Sequence, residues 1–311
     1  MGCMFIVSAF IEVLLPVTVI VVCGYALRRR FELDLPSLNR LSMYVLSPAL
    51  IFTTIVRIDV TGDEAARIIA ASVALCLGIG VVGLIVGALM RLDRGSLMAL
   101  LLCVMFMNSG NYGLPTTRFA FGEAGFQRAL LYFIAQTILA QTLVVPIASA
   151  GRGDLRSAVR QMFAMPQIYA VAAGLLARFS GIDLPYRGDA LGSAFRGVAL
   201  MADAALPLLL LLLGMQLANG TTVEDVRLTM VVAGLRLGVS PLMAYGLARA
   251  LALDDLALRV VVLEASMPTA VNMVLYSLEF NARPRFVAGV VVVTTLMSLV
   301  TLTLLLSVLR R

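Results

Sequence analysis

The sequence has no histidine, no lysine and no tryptophan, and only 14% of its 311 residues are charged. Without histidine it lacks the commonest metal ligand and the usual general base, so a zinc hydrolase or a Ser-His-Asp nucleophile is excluded. The four cysteines, Cys3, Cys23, Cys76 and Cys103, have no paired short spacing. They are expected to be small buried apolar side chains, with no disulfide framework and no metal site. A soluble domain is roughly a quarter charged, so this chain has too few charges to coat a water-exposed surface. The net charge of +6 comes from arginines placed singly or in short groups beside apolar runs. That pattern flanks membrane helices and is not a nucleic-acid patch.

What is abundant is apolar: 61% of the residues are hydrophobic and the mean hydropathy is +0.99. The composition implies an all-α integral membrane protein. A helix needs about 20 apolar residues to cross the hydrocarbon core, and ten runs reach that scale, at roughly 4–27, 38–57, 65–90, 96–120, 126–149, 163–180, 190–218, 227–251, 256–280 and 286–309. The first, followed by Arg28, Arg29 and Arg30, reads as a membrane span and not a cleaved signal. A polar linker, 151–162, containing "GRGDLRSAVRQ", separates a first unit of five runs (1–150) from a second (163–311).

The two units share landmarks. Pro48 in "LSPALIF" has a counterpart in Pro207 of "ALPLLLLLLG", 159 positions on, and Gly87 has one in Gly246 at the same offset. Asn111 and Asn272 are 161 apart. Because five is odd, a duplicated five-helix unit must enter the membrane from the opposite side, which predicts an inverted repeat. Arginines divide almost equally between the two sets of loops, so orientation rests on the triple arginine after the first run and on the central loop. Both termini are then placed outside.

Two runs interrupt themselves. "MNSGNYGLPT" (107–116) and "MPTAVN" (267–272) put amides, glycines and prolines inside apolar segments. A helix breaks in lipid only where protein or a water-filled cavity satisfies the freed backbone. Pro115 and Pro268 remove an N–H and clash with the carbonyls of Asn111 and Glu264, while Gly110 and Gly113 loosen the chain. Unwinding is expected across Asn108–Pro115. Broken helices present N-termini that attract carboxylates and C-termini that attract cations, and Asn108, Asn111 and Asn272 add neutral groups that donate and accept. A single such amide is more simply read as helix glue. Paired interruptions in corresponding runs point instead to a substrate site.

Four charges lie deep within the runs, away from their ends: Glu12, Asp203, Arg236 and Glu264. Intramembrane charges are paired or functional. Arg236 is a candidate partner for Asp203 or Glu264, or a group that binds substrate. Glu264, one turn before Pro268, can take a proton or a sodium ion and couple a gradient, or act in a cap or ion pair. Gln136 and Gln141 line the same region or join helices.

"NSGNYGLP", "LPLLLLLLGMQLA" and "EASMPTAVNMVLYSLEF" together resemble the auxin efflux carrier family, over essentially the whole chain. The resemblance implies a ten-helix inverted repeat like that of bile-acid symporters. Its first, second, sixth and seventh helices form a scaffold, the third to fifth and eighth to tenth form a moving core, and the broken fourth and ninth helices cross within that core. The family's crossover positions fall on Asn108, Asn111, Pro115, Pro268 and Asn272. The long loop of plant members is absent, as in bacterial ones, which implies a bacterial cytoplasmic (inner) membrane. The polar residues that would complete two sodium sites are not evident.

The expected function is a secondary carrier of small organic anions, such as malonate-, malate- or auxin-like carboxylates. Two alternatives stay open, a cation/proton exchanger using Glu264 and Asp203 and a non-transporting membrane sensor. An enzyme is not expected, and neither is a cofactor beyond coupling to H+ or Na+. The expected partners are the organic anion, the lipid bilayer and, as an open alternative, a second copy through the scaffold helices; nucleic acid is excluded.

Overall fold

In hydrocarbon an unpaired backbone group costs several kcal/mol, so these apolar runs have few options besides helix. The computed structural model describes residues 2–148, 163, 165–184, 188–218 and 222–310. Among them the chain is almost entirely helical, and five helices are long and apolar enough to cross a membrane. These are α1 (Phe5–Arg30), α3 (Gly62–Leu89), α8 (Ala190–Leu217), α9 (Val226–Ala250) and α12 (Pro284–Leu309).

The remaining helices are shorter or interrupted. They are α2 (35–56, with a π-helical turn at Ser42–Leu46), α4 (Arg94–Met105), α5 (114–121), α6 (123–148), α7 (Pro166–Phe179), α10 (Asp255–Ala265) and α11 (Asn272–Glu279). Gly122 separates α5 from α6 with a φ of 65°, a left-handed conformation that only glycine adopts without strain. Aspartates start several helices: Asp93 caps α4 through the N–H groups of Gly95 and Ser96, and Asp254 caps α10 through Ala257.

Glycine also sets how closely the helices approach. A Cβ on Gly214 of α8 would lie 1.9 Å from the Val21 carbonyl oxygen, and one on Gly24 of α1 2.2 Å from that of Leu211. The two backbones therefore touch, the contact small residues give membrane helices, where dispersion and close packing hold helices together. On α7, a Cβ on Gly174 would lie 2.9 Å from the Ile55 side chain of α2. Cys76 and Cys103 are buried free thiols, as expected, but Cys23 is exposed on α1. The linker expected at 151–162 lies outside the described residues.

Candidate functional site

The fourth run breaks earlier than the sequence suggests. α4 ends at Met105, residues 106–108 are non-helical with Phe106 extended, a π-helical turn covers Ser109–Gly113, and α5 begins at Leu114. Pro115 follows directly on this π-helical turn, whose last bond runs from the Leu114 N–H to the Ser109 carbonyl, and the wider turn accommodates its missing N–H. Gly110 and Gly113 also act otherwise than expected, since neither has a positive φ. They provide room: a Cβ on Gly110 would meet the Phe133 ring at 2.7 Å, and one on Gly113 the Glu264 carboxylate at 2.2 Å.

The second break, between α10 and α11, holds the partner strand. Met107 and Thr269 form an antiparallel bridge. The Asn108 N–H donates to the Pro268 carbonyl at 2.8 Å, and the Ala270 N–H donates to the Phe106 carbonyl at 3.0 Å. Each unwound stretch satisfies the other, so the backbone is paid for inside the protein. The carbonyl of Glu264, expected to be freed by Pro268, accepts from the Met267 N–H at 3.2 Å.

The ends of α4 and α10 still carry carbonyls without intrahelical donors. Arg236, fully buried at a π-helical turn of α9 (Leu235–Val239), meets both. One guanidinium nitrogen donates to the Val104 carbonyl at 2.7 Å, and the other donates to the Ala265 carbonyl and, at 2.5 Å, to the Ser240 hydroxyl. Ser240 in turn donates to Ala265 at 2.9 Å, and the Thr269 hydroxyl donates to the Cys103 carbonyl at 2.9 Å. The pairing of Arg236 with Asp203 or Glu264 is therefore corrected. A guanidinium carries five donors in a fixed fork, and two adjoining helix C-termini, each with partial negative charge, give it better partners. Asp203 is exposed on α8, and Glu12 pairs with Arg310 at 2.6 Å, joining the start of α1 to the end of α12.

Beside the bridge is a cavity of about 390 Å³, within the roughly 300–1,000 Å³ typical of small-molecule sites. Asn108, Asn111 and Asn272 all line it, together with Ser109, Gln136 and Gln141 of α6, Gln167 of α7, Leu50 of α2, Leu209 of α8, and Tyr276 and Glu279 of α11. It lies between the breaks on one side and α2, α7 and α8 on the other. No arginine is in its wall, and Glu279 is its one carboxylate among the described residues. A second cavity of about 660 Å³ shares Asn39, Met43, Asn272 and Leu275 with it and reaches Arg28 and Arg40.

Several wall groups are held in place. The Gln136 amide donates to the Ser72 hydroxyl at 3.1 Å, Gln141 donates to the Tyr276 hydroxyl at 2.9 Å, and Gln167 donates to the Met43 carbonyl at 3.1 Å. The Asn108 side-chain nitrogen is buried with no partner. Glu264 lies behind the wall, where its Oε1 accepts from the Thr117 hydroxyl at 2.8 Å. Pro268, Gly110, Gly113 and Pro115 are placed at or next to the breaks. Sequence reasoning missed Gln167, a lone amide heading an apolar run, and the capping roles of Thr269 and Ser240, which need the fold.

The family model described as membrane transport protein matches residues 9–154 and 152–306. The chain is 31% identical over 300 residues to an uncharacterized transporter of Methanothermobacter thermautotrophicus, covering 94% of this chain and 96% of the relative. It is 24% identical over 272 residues to an uncharacterized transporter of Methanocaldococcus jannaschii, covering 86% and 87%. The chain therefore belongs to the membrane transport protein family, the auxin efflux carriers that its motifs around Asn111 and Pro268 resemble.

Proposed function

We propose that this transporter is a secondary carrier of small organic anions that works by alternating access, with its substrate held at the crossing of the two breaks. The observation that carries this reading is the convergence of Asn108, Asn111 and Asn272 on one cavity beside the Met107–Thr269 bridge. α5 and α11 begin at this cavity, and their N-termini favour a carboxylate without a buried arginine. The cavity admits a malonate-, malate- or auxin-sized acid.

The ten-helix inverted repeat is part of the proposal. Two charge clusters support it. Arg128 pairs with Glu64 at 2.6 Å and with Asp254 at 3.7 Å. Arg283 lies 4.0 Å from both Glu224 and Asp225 and donates to Ser96, whose hydroxyl donates to Asp93. In each cluster an arginine beside one half's last helix joins an acid of that half to the aspartate that caps the other half's broken helix. In this reading α1, α2, α7 and α8 are the scaffold, α3 to α6 and α9 to α12 are the core, both termini face outside the bacterial inner membrane, and the scaffold is the surface for any homodimer. The exchanger alternative needs Asp203, and its exposure on α8 outside the cavity wall disfavours that reading.

Counterflow in proteoliposomes, screened with malonate, malate and indole-3-acetate, tests the function. Asn111→Ala and Asn272→Ala are expected to cut flux at least tenfold, about the 1.4 kcal/mol of one or two lost hydrogen bonds. Normal flux in both variants would refute the crossover assignment.

A further inference from the structure

Behind the cavity wall is an acid that substrate binding does not use. Glu264 is fully buried in the last turn of α10. Thr117 donates to its Oε1, while Oε2 is buried with no partner. Arg236, the one buried cation among the described residues, is committed to the carbonyls of Val104 and Ala265. The Ser109 hydroxyl is also buried without a hydrogen-bond partner and faces the same carboxyl. Unlike Glu264, Ser109 is part of the cavity wall. Gly113 leaves the space that the carboxyl fills.

The other titratable groups around this point are Tyr132 from α6, Cys76 from α3 and Arg236 from α9. The π-helical turn adds Tyr112, and α12 contributes buried hydroxyls and no buried charge. An ionised carboxylate with an empty oxygen in such an interior costs several kcal/mol. A hard cation bound there would gather about six oxygen ligands, and the side chains facing the carboxyl offer two hydroxyls, one of them already donating to Oε1. A proton on Oε2 needs a single acceptor, and Ser109 Oγ is one.

We propose that Glu264 is a proton-binding site carried by the core and loaded from the cavity through Ser109. The inference rests on the carrier reading and adds its coupling ion. In the loading step a hydronium in the cavity gives a proton to Ser109 Oγ as the Ser109 hydroxyl proton passes to Glu264 Oε2, so that at each transfer one O–H bond forms as another breaks. Water is left in the cavity, and the net change is one proton moved from the cavity to Glu264. The reverse sequence unloads it.

Infrared titration of the purified protein in lipid tests this without any transport. The carbonyl stretch of a protonated carboxyl is expected to appear reversibly as pH falls, to vanish in Glu264→Gln and to shift in Glu264→Asp. Replacing sodium by choline should leave the band unchanged, and Ser109→Ala should delay its appearance after a pH jump while keeping its amplitude. A band that never titrates, one that persists in Glu264→Gln, or one that sodium suppresses in the wild type overturns the proposal. Because the band is read without flux, its absence counts against the proton site whatever the carboxylate screen returns.

Discussion

Gly113 shows how one residue couples the break to the acid behind it. A methyl there would sit 2.2 Å from Glu264 Oε2, so Gly113→Ala must displace the carboxyl or the π-helical turn. Overpacking of this kind costs typically about 1–3 kcal/mol. The expected result is a lower Tm in detergent, partly restored by shortening the acid in Gly113→Ala/Glu264→Ala; a Tm unchanged from wild type in the single variant would contradict the contact. Arg236 acts at the same scale. Arg236→Met leaves the Val104 carbonyl without its donor, at about 1–3 kcal/mol for a buried group, and leaves the Ala265 carbonyl to Ser240 alone. Arg236→Lys should recover only part of the loss, because an ammonium cannot fork between two helix ends as a guanidinium does. Full recovery by lysine in a thermal melt would reduce the arginine's role to charge alone.

At the scale of elements, helix ends and helix contacts carry the predictions. Hydrogen bonds from Ser96 and Gly95, with Arg283 nearby, hold the Asp93 carboxyl below the usual aspartate range. A group depressed in this way stabilises the fold above its unfolded pKa of about 3.9 and loses that contribution as pH falls through the lower folded value. The hydrogen-exchange protection factor at the first turn of α4 should therefore fall only in acid, and Asp93→Ala should lower it at neutral pH too; equal protection in the variant would show that the cap is idle. Between α1 and α8, Gly214→Val has no space, since even a Cβ would lie 1.9 Å from the Val21 carbonyl oxygen. The two helices must then separate, and the prediction is a lower Tm with loss of monodispersity in detergent.

For the whole molecule, the bonds between the proposed scaffold and core are unevenly distributed. Glu12 of α1 pairs with Arg310 just beyond α12, and the Asp59 N–H after α2 donates to Gln127 of α6 at 2.8 Å. On the other side, Asn39 and Met43 of α2 and Asn272 and Leu275 of α11 line both cavities. Alternating access requires the first set to part as the second closes. In a cysteine-free background, a short bifunctional crosslink between Glu12→Cys and Arg310→Cys should arrest counterflow, and cleavage of the linker should restore it. Undiminished flux in the crosslinked protein would mean that α1 and α12 do not move apart.

The sequence by itself determined that this is a helical membrane protein, where its apolar runs lie and which two of them break. Those properties follow from local chemistry: hydrocarbon forbids unpaired backbone, and Pro115, Pro268 and the neighbouring glycines and asparagines stand out against apolar surroundings. It also named the three asparagines that line one cavity. What it placed wrongly depends on contacts between segments far apart in the chain. The first break moved from Asn108–Pro115 to residues 106–108 because the strand around Pro268 supplies its hydrogen bonds there. Arg236 left the acids expected to hold it because folding brings two helix C-termini within its reach. Only the tertiary structure decided that Glu264 is buried with one oxygen unpartnered, since burial and hydrogen-bond partners are set by what packs around a residue and not by its neighbours in sequence.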